Sequence, residues 1–147
     1  MSLEEWFRNS WLTKANPNKS EIVQLLEVAD RDLADGQVVG VSVDGRYVHL
    51  YEAALALCSV ALRACSYQVK KGQGNHKRTI ESLPLTLGNE YSKIADQIDT
   101  ASRLRGQAQY DRSGVVSESD VKELLAIVVE LRSKITIWLK DNYPSLI

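Results

Sequence analysis

The feature that most constrains the fold is the C-terminal run from Val121 to Leu139. Leu124, Val128, Leu131, Ile135 and Trp138 recur at steps of four, three, four and three, and Val121, Leu125 and Leu139 widen the same stripe. An α-helix returns to one side every 3.6 residues, so such a stripe buries one face against other helices. A half-buried strand would show strict alternation instead. Ser117, with Asp120 three residues on, supplies a capping-box start, although Asp is shorter than the usual Glu or Gln.

The rest of the chain offers partners for that face. Leu3, Trp6, Phe7, Trp11 and Leu12 follow Ser2 as a plausible N-cap, with Glu5 in the answering position, and predict a short amphipathic helix. Asn16-Pro17-Asn18-Lys19 reads as a turn. Ser20 then opens a helix whose stripe is Ile22, Leu25, Leu26, Ala29 and Leu33, and Gly36 stops it. Between Val38 and Tyr51 the local signals conflict. Val39, Val41 and Val43 alternate before Asp44-Gly45, a hairpin signal, whereas Tyr47, Leu50, Tyr51, Ala54, Leu55, Cys58 and Leu62 make an unbroken helical stripe. A hairpin without a third strand is marginal. Val38–Val43 is therefore expected as a loop, with a long helix starting near Asp44. Gln68–Asn75 reads as a loop, His76–Leu83 as a short helix ended by Pro84, Asn89–Leu104 as a polar helix, and Gly106–Val116 as irregular. The sum is an all-α, up-and-down antiparallel helical bundle of four to five helices plus a short N-terminal helix, with no sheet. One domain over residues 1–147 is expected, with 1–18 as the N-terminal helix and turn and 19–143 as the bundle.

Composition narrows the function classes. The 147 residues are 44% hydrophobic and 25% charged, as in an ordinary globular protein. A formal net charge of -1 provides no global basic field, so any nucleic-acid contact must come from a local patch. Cys58 and Cys65, seven residues apart, would lie about 10 Å apart along a helix, too far for a disulfide within it. Buried free thiols in a reducing compartment are expected. His49 and His76 show no metal-ligand spacing, and no Gly-rich phosphate loop precedes a helix, so no metal or cofactor is expected. The acidic start Met1-Ser-Leu-Glu-Glu-Trp lacks the character of a signal peptide, and the run Ala53–Leu62 is too short for a bilayer. The expectation is a cytoplasmic protein with no membrane contact.

The segment Ala101–Arg112 carries more charge than a helix connection needs. Arg103, Arg105 and Arg112 crowd one junction with Gly106, Tyr110 and Asp111. Guanidinium groups repel one another and suit phosphate or carboxylate. The plain alternative is that they complement a helix C-terminus and pair with Asp96, Asp99 or Asp111. Tyr110 suits either a site or the core, and Tyr47 and Tyr51, one turn apart, suit the core. Lys70, Lys71, His76, Lys77 and Arg78 form the basic run of the chain. They are a solvated face, or, if they face Arg103–Arg112, one wall of a phosphate groove. Trp6, Phe7 and Trp11 exceed what one short helix needs, and either cap the bundle or pair with a second copy.

Three pieces then stand in order: Arg46-Tyr47-x-x-x-Tyr51-Glu-Ala-Ala-Leu, His76-Lys-x-Thr79-Ile80, and Arg103-x-Arg105-x-x-x-x-Tyr110-Asp111. Over about residues 20–140 this pattern resembles the HEPN family of small helical bundles. The resemblance implies a homodimer and a partner such as a minimal nucleotidyltransferase or an antitoxin. Many members are metal-independent ribonucleases with an Arg-x4-6-His motif. Arg105 matches the motif arginine, Tyr110 stands where the histidine would be, and Gly106 follows the arginine where a polar residue is usual. A phenol is a poorer base at pH 7 than an imidazole. The resemblance therefore implies a nucleotide- or RNA-binding module acting with a partner; with the charged segments added, its candidate contacts are Arg103, Arg105, Asp111, Arg112, Lys70, Lys71, His76, Lys77 and Arg78. The alternatives are a metal-independent endoribonuclease toxin, in which Arg105 stabilises phosphate and Tyr110 or His76 moves the proton, and a non-catalytic structural adaptor.

Overall fold

The computed structural model describes residues 1–72 and 74–147. In chain order the elements are α1 (Leu3–Arg8), β1 (Leu12–Lys14), α2 (Lys19–Asp35), α3 (Val43–Ala64), β2 (Tyr67–Val69), α4 (Asn75–Glu81), α5 (Leu83–Leu87), α6 (Ser92–Gly106) and α7 (Glu118–Asn142). A π-helical turn, Gln107–Asp111, prolongs α6. The protein is an all-α helical bundle carrying one very small strand pair.

The contested stretch is helical. Ser42 Oγ accepts a hydrogen bond from Gly45 N at 3.0 Å, which caps α3 at the point where alternation gives way to the longer stripe. Beyond Tyr51 most α3 side chains are buried, including Leu57, Cys58, Val60, Ala61 and Leu62. A helix with so wide an apolar surface belongs at the centre, and α2, α6 and α7 all pack on α3. Gly36, at the end of α2, permits the tightest approach. A Cβ there would lie 2.6 Å from Leu50 Cδ2. On α7, Ser117 and Asp120 form the full capping box, and Val121, Leu124, Val128, Leu131, Ile135 and Leu139 are buried.

The expectation of no sheet is overturned. Leu12, Thr13 and Lys14 pair antiparallel with Val69, Gln68 and Tyr67. α1 accordingly stops at Arg8, where Ser10 takes a left-handed backbone (φ 64) that no helix continues through. The pairing gives the backbone after α3 its hydrogen-bond partners, and the ribbon is covered by aromatic side chains. Trp6 packs edge-on to Trp11, ring centres 5.8 Å apart, in a small second core with Leu12 and Leu62. Phe7 lies 5.8 Å from Tyr67. The aromatic surplus of the N-terminus is thus largely spent within the chain.

Two further boundaries differ. Pro84 does not end a helix. α4 closes at Glu81, and Pro84 lies in the first turn of α5, where a missing N–H costs nothing. Gly106 continues α6 into the π-helical turn, so the junction is less irregular than its composition suggests. Cys58 is buried and free, while Cys65 is only half-buried and accepts a hydrogen bond from Tyr143 Oη at 3.6 Å. Among the described residues no helix is long and apolar enough to cross a membrane.

Candidate functional site: the arginine segment on α3

The segment from Arg105 to Glu118 lies along the first half of α3, held by three polar contacts. Arg105 Nη2 donates to Glu52 Oε1 at 2.8 Å, Gly114 N donates to Asp44 Oδ2 at 2.8 Å, and Arg46 Nη2 donates to Glu118 Oε1 at 2.6 Å. Three buried side-chain polar atoms left without a partner among the described residues, Asp44 Oδ1, Arg46 Nε and Arg105 Nε, belong to this seam, and the buried Tyr51 hydroxyl there has Ser102 beside it. Buried polar groups are normally satisfied, so a cluster of unsatisfied ones calls for a reason beyond stability. The π-helical turn is a second such sign, because these rare turns concentrate at functional sites.

Arg105 is the inner member of the segment. Its side chain is only 16% exposed, its charge is met by Glu52, and its guanidinium carbon lies 5.2 Å from the ring centre of Tyr51 and 5.7 Å from that of Tyr110. It acts as a strut between α6 and α3. Tyr51 and Tyr47 are both core residues, and burial, then the carboxylates of Asp120 and Glu123, pushes the Tyr47 hydroxyl up to about 12. Tyr110 faces outward and is 72% exposed. Arg103 is 68% exposed at its side chain and pairs loosely with Asp99 at 3.5 Å, while Asp111 and Arg112 are exposed. One face of the π-helical turn therefore presents an aromatic ring with arginines before and after it in the chain.

The basic run lies elsewhere. Lys70 and Lys71 line a cleft of about 380 Å³ with Arg63 and Asn75. Arg78 stacks on Trp11, its guanidinium carbon 4.0 Å from the ring centre, and His76 is exposed on α4. Lys77 lines a different cleft with Glu81, Asp96 and Asp99. Neither cleft contains a residue of Arg103–Arg112. From Glu52 to Ala64 α3 advances about 18 Å, and β2 and the basic run come after its far end. Lys77 shares a cleft with α6, and it meets carboxylates there.

The structure brings in one residue that sequence reasoning set aside. His49 stands one turn from Glu52 on α3, and its Nδ1 lies 3.2 Å from Asp32 Oδ1 of α2. The pair lines a cleft of about 500 Å³ with Arg31, Glu52 and Gln109 of the π-helical turn. The three-residue step from His49 to Glu52 was visible as a shared helical face. The Asp32 partner was not, because it depends on how α2 packs on α3. Asp35 joins Asp32 and His49 to place three possible metal donors within 4.8 Å of one another. Arg31 Nη2, 3.5 Å from Asp32 Oδ2, already supplies positive charge there.

Comparison of the chain with protein-family models, with curated proteins and with solved structures found no match. The HEPN resemblance stands on the three sequence pieces alone.

Proposed function

We propose that this chain is a HEPN-like nucleotide- or RNA-binding module whose contact surface is the outer face of the π-helical turn. Tyr110 carries the reading: a largely exposed ring, backed by the Arg105 guanidinium, between the exposed Arg103 and Arg112. Every base has a π-face that can stack on such a ring, and guanidinium groups beside it suit the phosphates. Glu52 and Arg105 hold the platform in place before ligand arrives, which lowers the ordering cost of binding. With a net charge of -1 the attraction is local, and the contact is correspondingly sensitive to salt. The same reading includes a cytoplasmic homodimer and a protein partner such as a minimal nucleotidyltransferase or an antitoxin.

Fluorescence anisotropy with a short labelled single-stranded RNA, read over a salt series, tests it. Tyr110→Ala weakens binding by about 1–3 kcal/mol, the range for one lost base stack. Tyr110→Phe keeps the ring and binds as the wild type does. Absence of any salt-sensitive binding leaves the structural adaptor.

The endoribonuclease reading keeps one specific support, the His49–Asp32 pair, an imidazole oriented by a carboxylate in the cleft that Gln109 also lines. It requires metal-independent RNA cleavage that His49→Gln lowers by about 10²-fold or more. Cleavage lost instead in Tyr110→Phe would assign the proton to the phenol.

A further inference from the structure

α6 and α7 both pack on α3 and hardly on each other. A groove of about 540 Å³ stays open between them, floored by Ala101, Leu104, Leu124 and Ile127 above the Tyr47 ring. The α6 wall is a single stripe from Lys93 to Leu104 at three- and four-residue steps, about 17 Å long, or three turns of a helix. Carboxylates dominate its rim: Asp96 from α6 with Asp120 and Glu123 from α7, against the single ammonium of Lys93. Their field reaches the floor, since Asp120 and Glu123 add to burial in holding the Tyr47 phenol neutral.

We infer that this groove docks a basic amphipathic helix of a partner protein. The apolar floor is short, with Leu104 and Ile127 over the largely buried Ala101 and Leu124. Beside a wall of about 17 Å that is otherwise polar, it takes the apolar face of a docked helix, with anchors at i, i+3, i+4 and i+7. The acidic rim selects Lys or Arg on either side of those anchors. A second copy of this chain is disfavoured, because a two-fold contact sets this patch, three carboxylates to one ammonium, against another of the same net charge. The inference is independent of the RNA reading: none of Arg103, Arg105, Tyr110 or Arg112 lines the groove, although its Leu104 end adjoins Arg103 and Arg105 in the chain.

Two three-turn peptides, each with Leu at those four positions, are titrated into the full chain under NMR observation. One carries Lys at its remaining positions and the other Glu. The Lys peptide is expected to bind, with shift changes concentrated on α6 and α7. The Glu peptide is expected to bind at least tenfold more weakly. Asp96→Lys/Glu123→Lys, two exposed positions, reverses that preference without touching the core. Equal binding of both peptides, a preference that the double variant leaves unchanged, shifts centred elsewhere, or self-association of the chain through this face would each overturn the inference. Binding of a small amphiphilic amine with no binding of the Lys peptide would overturn it in favour of a small-molecule site.

Discussion

Replacing Arg105 by Met separates a strut from a ligand contact. The Arg105 side chain is 16% exposed and that of Glu52 34% exposed, and one charge-assisted hydrogen bond of 2.8 Å joins them. Such bonds contribute about 1.5–3 kcal/mol, and water reaching Glu52 moves this one toward the lower end. Loss of the guanidinium from the Tyr51 and Tyr110 rings adds about 0.5–1 kcal/mol. Met retains an apolar stem against α3, so most of the packing survives. The expected net destabilisation is about 1–2.5 kcal/mol. For a chain near 150 residues, 2 kcal/mol lowers the Tm by about 4–8 °C. Urea unfolding of Arg105→Met, Glu52→Gln and the double variant should return a coupling energy of about 1–2 kcal/mol. RNA affinity should fall only modestly, as far as the platform loosens. Stability within about 0.5 kcal/mol of wild type, coupling near zero and a tenfold or greater loss of RNA affinity would together refute the reasoning. Arg105 would then meet the ligand directly.

Gly36→Ala places a Cβ 2.6 Å from Leu50 Cδ2 and 3.2 Å from the Arg46 carbonyl oxygen, and Leu50 is fully buried. Overpacking of about 1–3 kcal/mol exceeds the roughly 0.4–1 kcal/mol gained from a less flexible unfolded chain, so thermal unfolding should show a lower Tm, and an unchanged one would contradict the close approach. Ser117→Ala removes the α7 cap, in which Ser117 Oγ accepts from Asp120 N at 3.0 Å, and should cost about 1 kcal/mol by urea denaturation. Burial pushes the Cys58 thiol from 9.0 up to about 12 and is the first cause of the rise of Tyr47 from 10.0 to about 12. Folding therefore favours their neutral forms, and that contribution is complete below pH 9 and lost as pH climbs toward 12. Urea midpoints should drop between pH 8 and pH 11, less steeply in Cys58→Ala, and a thiol reagent at pH 8 should label Cys65 before Cys58.

What the residues determine alone is what short-range periodicity and capping encode. The α7 stripe, the Ser117–Asp120 box, the α2 stripe with its Gly36 stop and a long helix starting near Asp44 all follow from side chains three and four positions apart. The tertiary structure decided the rest, because it concerns partners distant in sequence. Strands of three residues carry no usable alternation, and Leu12 meets Val69 only after α3 has carried the chain across the molecule. Pro84 tells only that an N–H is missing, and the packing of α4 and α5 determines which helix accommodates it. His49 finds Asp32 through the approach of α2 to α3 that Gly36 allows. Arg105 shows most clearly where a sequence stops. A guanidinium at a helix end demands an anion, but a phosphate and a carboxylate satisfy it equally well. The packing of α6 against α3 supplied Glu52, 53 positions away, and left Tyr110 facing solvent.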